Sequence, residues 1–268
     1  MNILEQIILH KKQEVAQRKA AVSIAQLKDG NLFNRKPLSL KDSLLDSGKT
    51  GIIAEFKRRS PSKGAINENA DVAVVTGAYA ANGASGLSVL TDGHFFGGSS
   101  EDLTRARANK IPILRKDFII DEYQIVEAKA IGADAILLIA ACLSPAETRR
   151  LAAFARSLQL ETLLEIHKEE ELEHICEETD IIGVNNRDLK SFTVDINRSL
   201  SLIERMPADK IKISESGISN IEAILRLRQA GFNGFLIGEN FMKEQDPAIA
   251  FASFVNRLNR ALLSGEAT

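Results

Sequence analysis

The chain has 268 residues, of which 44% are hydrophobic and 26% are charged, and its formal net charge at pH 7 is −2. This composition is typical of a globular protein and excludes a disordered or collagen-like chain. The near-neutral charge gives no bulk basicity, so neither nucleic acid nor an anionic membrane surface is expected as a partner. The longest apolar run covers residues 135–143, which is well short of the roughly 18 to 20 residues of a membrane span.

The first 48 residues are predicted to form a helical extension that precedes the first strand. In a helix predicted over residues 3–19, Leu4, Ile7 and Ile8 share one face, and charged residues interrupt the apolar pattern. The segment therefore lacks the continuous apolar core of a secretory signal. We expect the extension to cover one end of the following domain; alternatively, its connection closes over a ligand.

The two cysteines, Cys142 and Cys176, are far apart in the sequence and have no metal-like partners nearby. This usage favours a reduced compartment, so a cytoplasmic location is expected, with both thiols as small packing groups.

After the extension, short apolar runs alternate eight times with longer amphipathic stretches. Strands are predicted over residues 51–57, 86–91, 111–118, 135–141, 161–167, 181–187, 210–215 and 234–238. Helices are predicted between them, among others over residues 121–132, 144–158, 168–178 and 219–231. Strands that are apolar almost throughout are typical of a parallel sheet covered by helices.

Eight such units in about 215 residues favour a closed barrel over an open doubly wound sheet. No G-x-G-x-x-G motif follows the first strand, which weakens the dinucleotide-binding alternative further. We predict an α/β protein with a single (β/α)8 TIM barrel domain over residues 1–268, in which residues 1–48 form the N-terminal helical extension.

Charged and polar side chains occur at the ends of five predicted strands, where barrel active sites lie. Glu55 and Lys57 are two residues apart on the first strand, so they share a face, and burying both against helices would be costly. Four further strand ends add Lys116, Glu165, Asn185, Arg187 and Glu215. Lysines and carboxylates converging on one barrel mouth indicate general acid–base chemistry. The alternative is a salt-bridge network that only closes the barrel.

Two glycines, Gly217 and Gly238, follow the seventh and eighth predicted strands. Backbone N–H groups at these places bind phosphate in many barrels, although a glycine can also serve only a tight turn. We therefore expect a phosphate site here. Residues 61–65 after the first strand are predicted to form a mobile loop that closes over the phosphate, with Lys63 as an extra charge.

The four histidines show no metal-binding pattern, because neither an H-x-x-x-H motif nor a carboxylate facial arrangement occurs. His10 and His174 are expected on the solvent side of helices. His167 ends the fifth strand, where it could contribute to the mouth.

Eight short motifs follow one another at the spacing of the predicted strands. They are IAEFKRRSPS from Ile53, LTD from Leu90, FFGGS from Phe95, LRKDF from Leu114, LE from Leu164, GVNNRDL from Gly183, SESGI from Ser214 and LIGE from Leu236. Each motif alone is weak, but together and in this order they are specific. Along essentially its whole length the chain resembles the indole-3-glycerol phosphate synthase family.

The resemblance implies an enzyme of tryptophan biosynthesis, a carbon–carbon lyase that closes 1-(2-carboxyphenylamino)-1-deoxyribulose 5-phosphate to an indole ring with loss of CO2 and water. It implies catalytic roles for Glu55, Lys57, Lys116, Glu165, Asn185 and Ser216. It also implies substrate contacts from Ser60, Phe118, Arg187, Glu215, Gly217, Leu236, Gly238 and Glu239. No metal or cofactor is expected, because the iminium of the substrate can itself accept the electrons of decarboxylation. No obligate protein partner is expected.

Within this set, Lys116 is expected to be the general acid, with the neighbouring Lys57 ammonium lowering its pKa. Arg187 is expected to pair with the substrate carboxylate and Phe118 to form an apolar wall. Glu239 is expected to turn its N–H, and not its carboxylate, toward the phosphate. Which lysine and which glutamate act at which step stays open, since coupled charges share their titrations.

Three other functions fit the chain less well. Phosphoribosylanthranilate isomerase has a cysteine at the end of the first strand, where this chain has Glu55 and Lys57. The strand-end patterns of the tryptophan synthase α-subunit do not match. A non-catalytic phosphosugar-binding module would lack catalytic groups, and none of the expected ones is missing.

Overall fold

Eight parallel strands close into a barrel in the computed structural model, which describes residues 2–188 and 191–264. The strands are β1 Ile52–Phe56, β2 Gly86–Leu90, β3 Ile113–Lys116, β4 Ala135–Ile139, β5 Glu161–Ile166, β6 Ile181–Asn185, β7 Ile211–Glu215 and β8 Gly234–Ile237. The barrel is closed by backbone pairing of β1 with both β2 and β8, because Ile53 of β1 pairs with Gly86 on one side and with Leu236 on the other. The predicted TIM barrel and its eight strands are confirmed. Leu189, which ends one of the motifs, lies outside the described residues.

The helices surround the barrel and also precede it. They are α1 Ile3–Ala21, α2 Ile24–Lys28, α3 Leu40–Leu45, α4 Val72–Ala81, α5 Gly93–Phe96, α6 Ser100–Ala106, α7 Glu122–Ala130, α8 Pro145–Ser157, α9 Asn197–Leu202, α10 Ile221–Gln229, α11 Glu239–Met242 and α12 Pro247–Leu263. Within the described parts of the chain, none of the helices is long and apolar enough to cross a membrane.

The helix predicted over residues 168–178 is wrong, because only a short 3-10 segment forms there, at Glu169–His174. Its acidic run places like charges three and four residues apart, which disfavours an α-helix. In addition, the Glu171 carboxylate turns back to accept the backbone N–H of His167 at 2.7 Å.

Strand alternation divides the apolar core into two parts. Ile52, Ala54 and Phe56 of β1 face the helical layer, whereas Ile53 lies in a cluster that fills the barrel interior. The same interior cluster contains Leu114, Leu163 and Ile213. Because successive inward residues are two apart, the next inward positions after these four are Glu55, Lys116, Glu165 and Glu215. The charged residues therefore form a layer directly above an apolar one.

The N-terminal extension reaches both ends of the barrel. Leu40 and Leu44 of α3 belong to the interior cluster, and the structure packs them against Gly86 and Gly234 at the start of their strands. At the opposite end, Ile3, Leu4 and Ile7 of α1 line the cavity at the barrel mouth. The extension was expected to cover one end; the structure shows that it closes one end and forms a wall of the other.

A buried lysine ties α1 to the barrel. Lys11 is 1% exposed, and its Nζ lies 2.8 Å from Glu14, 2.9 Å from Asp92 and 3.0 Å from Asp117. Burial opposes its charge, but Asp117 and Asp92 outweigh that effect and raise the pKa of Lys11 above its ordinary value. Asp117 also contacts the fully buried Arg115, whose Nη2 is 3.1 Å away.

Replacing Lys11 by methionine is expected to lower the free energy of unfolding by about 3–5 kcal/mol, since the buried Asp92 and Asp117 would lose their shared cation. Urea unfolding followed by circular dichroism measures the loss. The neighbouring Lys12 is exposed, so Lys12→Met should change stability by less than about 0.5 kcal/mol. If the two substitutions lowered the free energy of unfolding equally, Lys11 would not stabilise the packing of α1 against the barrel.

Candidate active site

A cavity of about 450 Å³ opens at the carboxyl ends of the strands. All the site residues predicted from the sequence line it, so the structure brings the whole set together. They are Glu55, Lys57, Ser60, Lys116, Phe118, Glu165, Asn185, Arg187, Glu215, Ser216, Gly217, Leu236, Gly238 and Glu239. The fold places these residues in one cavity, whereas the chemical role of each residue stays a prediction.

Lys116 lies at the centre of the charged layer. Its Nζ is 2.8 Å from Glu215 Oε2 and 3.1 Å from Glu165 Oε2. Burial opposes its charge, but Glu215, Glu165 and Glu55 together outweigh burial and raise the pKa of Lys116. The expectation that Lys57 lowers this pKa is wrong, because carboxylates and not a second ammonium surround the amine. Lys116 is therefore an ammonium ion at neutral pH.

Lys57 and Glu55 form a second pair, with Nζ and Oε1 2.7 Å apart. The other oxygen of Glu55 is 3.4 Å from the Ser88 hydroxyl, which donates to it. Burial raises the pKa of Glu55, but Lys57 and then Lys116 reverse this and lower it below its ordinary value. Glu55 is thus an ionised carboxylate placed between two lysines.

Glu165 and Glu215 share the Lys116 ammonium, yet their pKa values move in opposite directions. Burial raises the pKa of Glu165, but Lys116 and His167 overcome this effect and lower it. In Glu215, burial together with repulsion from Glu165 outweighs the attraction of Lys116 and raises the pKa. Two carboxylates whose environments separate their pKa values in this way are suited to different proton-transfer roles. This division was not visible in the sequence.

Two glycines leave room for the carboxylates. A Cβ on Gly183 of β6 would overlap Oε1 of Glu215, and a Cβ on Gly238 would lie 2.7 Å from Oε1 of Glu55. Gly238 was predicted only as a phosphate contact, and Gly183 was not predicted as a site residue. A glycine inside an otherwise apolar strand often marks a close approach of this kind, and that signal could have identified Gly183.

Two consecutive left-handed residues follow β7. Ser216 has φ of 68° and Gly217 has φ of 74°. For a serine this conformation is strained, and such strain concentrates at functional sites. The buried Asn186 holds the turn, because its Nδ2 donates to the Ser216 carbonyl oxygen at 3.0 Å. Ser60 and Gly238, from the neighbouring β1 and β8 sides of the barrel, line the same cavity.

An ion-paired rim lies beside this turn. Glu239 Oε2 is 3.2 Å from Arg187 Nη2, and its Oε1 is 3.7 Å from Lys63 Nζ. The Glu239 carboxylate is thus paired with two cations, and the expectation that its N–H faces the phosphate stays a prediction. Residues 61–65 were predicted as a mobile loop; they form the turn and second strand of a small hairpin in which Arg59–Ser60 pairs with Gly64–Ala65, and their closure over the phosphate stays a prediction.

The opposite wall of the cavity is apolar. Phe118 packs against Phe96, with ring centroids 5.9 Å apart. Ile3, Leu4 and Ile7 of α1 complete the wall. The sequence indicated the apolar face of α1 but not that it faces a ligand cavity, because only the docking of α1 decides which surface it covers.

Neither His10 nor His174 is as exposed as expected. His174 is buried rather than solvent-facing, and its Nε2 is 2.8 Å from the Leu143 carbonyl oxygen. His10 is half-buried and stacks on His94, with centroids 4.4 Å apart. Among residues 2–188 and 191–264, no three or more histidine, cysteine, aspartate or glutamate side chains are grouped so as to hold a metal ion.

Comparison with known proteins gives one family. A family model described as indole-3-glycerol phosphate synthase matches residues 4–254. A protein of that name from Bacteroides thetaiotaomicron is 50% identical over 259 residues, covering 96% of this chain and 99% of the relative. Another, from Polaromonas sp., is 43% identical over 256 residues, covering 94% and 97%.

Solved structures are similar in fold. Tryptophan synthase subunit alpha from Legionella pneumophila matches with a TM-score of 0.60 at 13% identity, over 84% of this chain and 97% of that one. A structure described as native KDPGal matches with a TM-score of 0.57 at 14% identity, over 82% and 96%. At such low identity, these similarities show the barrel fold alone.

Proposed function

Because the chain belongs to the indole-3-glycerol phosphate synthase family, we propose that lysine and glutamate acid–base catalysis in its cavity closes the indole ring. The protein is an enzyme of tryptophan biosynthesis, a carboxy-lyase. Its substrate in this proposal is 1-(2-carboxyphenylamino)-1-deoxyribulose 5-phosphate, and its products are indole-3-glycerol phosphate, CO2 and water. The observation that carries the catalytic assignment is the buried ammonium of Lys116, set among three carboxylates on the floor of the cavity.

In the first step, an aromatic ring carbon attacks the ribulose carbonyl, and Lys116 donates a proton to the carbonyl oxygen. The raised pKa keeps Lys116 charged until the oxygen becomes an alkoxide, which is a strong enough base to take the proton. The positive charge also stabilises the developing oxyanion before the proton moves. Phe118 and Phe96 would then support the aromatic ring.

In the second step, the bond between the ring and its carboxylate breaks, CO2 leaves, and the electron pair flows to the iminium nitrogen of the intermediate. In the third step, the new hydroxyl leaves as water and a proton is lost, which completes the indole. We assign Lys57 as the acid that protonates the leaving hydroxyl, since it lines the same cavity and Glu55 holds its ammonium there at 2.7 Å. Glu165 is ionised because its pKa is lowered, and we assign it as the base that accepts the proton.

Substrate binding is assigned to the polar side of the cavity. Ser60, Ser216, Gly217 and Gly238 would contact the phosphate, and Arg187 would exchange its Glu239 partner for the substrate carboxylate. Asn185 lines the cavity, and its side chain helps to lower the pKa of Glu165, so it would orient this base. Leu236 and Glu215 would complete the contacts on the β7 and β8 side.

We further propose that the chain works as one barrel domain with residues 1–48 as its extension. It would act on a free small molecule in the cytoplasm, without nucleic acid, a membrane or an obligate protein partner.

The overall reaction is tested by mixing the purified protein with the carboxyphenylamino-deoxyribulose phosphate and recording fluorescence, with no cofactor or metal added. Because the chain contains no tryptophan, indole emission that grows with time belongs to the product. We expect such growth. Tight binding of the substrate without indole emission would instead identify a phosphosugar-binding module and contradict the proposal.

Ser216→Ala is expected to raise KM about tenfold with kcat nearly unchanged, since one hydrogen bond to a charged phosphate is lost. Steady-state kinetics separate the two constants. Ser201, an exposed residue of α9, provides the matched control, and Ser201→Ala should leave both unchanged. A fall in kcat without a change in KM would move Ser216 from binding to catalysis.

A further inference from the structure

Glu165 uses its two carboxylate oxygens on two different cationic groups. Oε2 is 3.1 Å from Lys116 Nζ, whereas Oε1 is 3.3 Å from Nε2 of His167, the residue that follows β5. All three side chains are largely buried, and His167 is 8% exposed. The proposed base is therefore held from both sides, by the ammonium of Lys116 and by the imidazole of His167.

The imidazole is itself held between two carboxylates. Its Nδ1 lies 3.5 Å from Glu171 Oε2, and that same oxygen accepts the backbone N–H of His167 at 2.7 Å. A neutral imidazole would present an unprotonated nitrogen to one of the two carboxylates, which is repulsive. Neither ring nitrogen makes a hydrogen bond of good geometry, so the two contacts are ion-pair contacts, and only the doubly protonated ring places a positive charge between the two carboxylates.

We propose that His167 is a positioning residue, whose protonated ring keeps the Glu165 carboxylate ionised and aimed at Lys116 while Glu171 fixes the ring. This inference rests on the proposed role of Glu165 as a base. His167 would not touch the substrate, since the Glu165 carboxylate lies between it and Lys116.

The charged surroundings favour the protonated ring. The titratable groups that face His167 or its two carboxylate partners come from six segments of the chain: Glu55, Lys116, Cys142, Glu165, Lys168 with Glu171, and Glu215. Burial lowers the pKa of His167, but Glu171 and Glu165 outweigh it, so the pKa lies above its ordinary value.

The sign of the pH effect follows from this direction. Below the raised pKa the ring is charged and Glu165 has two cationic partners. As the pH rises through that pKa, the ring becomes neutral and Glu165 keeps only Lys116. We therefore expect kcat of the wild-type enzyme to fall as the pH rises through the raised pKa of His167.

The coupling is tested directly by NMR titration of the histidine rings in ¹⁵N-labelled protein. Glu165→Gln removes one of the two carboxylates and should lower the titration midpoint of His167 by about one pH unit. His174 is the internal control, because its ring nitrogens contact the backbone oxygens of Glu171 and Leu143. An unchanged His167 midpoint in a folded Glu165→Gln protein would overturn the inference.

A kinetic experiment tests the consequence for the reaction. His167→Gln should lower kcat about tenfold, with KM within twofold, and should remove the fall in kcat that accompanies deprotonation of His167. His174→Gln should keep the wild-type pH profile per folded enzyme. A His167→Gln protein that is only less stable, with an unaltered profile, would show a structural role and overturn the inference. If the wild-type protein formed no indole product, the proposed function would fail, while the NMR titration would still decide whether His167 and Glu165 are coupled.

Discussion

Lys116→Met is expected to lower kcat by about three orders of magnitude, within the range for loss of a general acid. Methionine keeps most of the side-chain volume but removes both the transferable proton and the positive charge. The two carboxylates that now contact Nζ, at 2.8 and 3.1 Å, would lose their shared cation. Their pKa values should rise, so the layer would bind protons and avoid an uncompensated buried charge.

The measurement is single-turnover formation of indole fluorescence, together with calorimetric titration of the substrate into the inactive variant. Binding should persist, because the phosphate contacts lie on the β1, β7 and β8 side of the cavity. Lys110, an exposed residue between α6 and β3, provides the control, and Lys110→Met should behave as wild type. Turnover of Lys116→Met within tenfold of wild type would exclude Lys116 as the acid.

Glu165→Gln is expected to lower kcat on the order of a hundredfold with little change in KM. The amide keeps the size of the side chain and can still accept hydrogen bonds from Lys116, but it cannot take a proton. Glu161 lies at the other end of the same strand, where its carboxylate accepts hydrogen bonds from Ser39 Oγ at 2.6 Å and from the backbone of Leu40 at 2.8 Å.

Glu161→Gln is thus the matched control for Glu165→Gln. It should lower the melting temperature, by loosening the extension, and leave kcat per folded molecule unchanged. If Glu165→Gln changed only KM, Glu165 would be a binding residue and another group would have to be the base.

The positions of the charged residues could be predicted because strand geometry alone determines them. Once Ile53, Leu114, Leu163 and Ile213 are recognised as inward-facing, residues two positions later must face inward too. The same rule places the residues between them outside, as with Arg115 and Asp117 on either side of Lys116. For these residues, an apolar strand pattern that ends in polar residues is enough to predict their position in the barrel.

The ionisation states could not be predicted in the same way. The sequence shows Lys57 and Lys116 as two nearby cations, and it suggested that one lowers the pKa of the other. The pKa of Lys116 is raised instead, because carboxylates from other strands lie closer to it. Glu215 is 99 residues from Lys116 in the chain and 2.8 Å from it in space. A pattern in one strand cannot show which residue of another strand lies nearest.

The burial of polar residues outside the strands could not be predicted either. His174 and Lys11 both lie on segments with ordinary amphipathic or acidic character, and neither differs in sequence from a surface residue. Each is buried because a distant part of the chain supplies its partner: the Leu143 carbonyl oxygen accepts a hydrogen bond from His174, and Asp92 with Asp117 forms ion pairs with Lys11.

The docking of α1 has a consequence for synthesis on the ribosome. Lys11 is made before its partner Asp117, which is added more than a hundred residues later, and the pairing of β1 with β8 requires residues up to 237. Before Asp117 is added, Lys11 lacks this partner, and before β8 is added, one edge of β1 stays open. The mouth of the barrel, which is lined by residues of α1 and β8, can therefore be completed only after β8 has been synthesised.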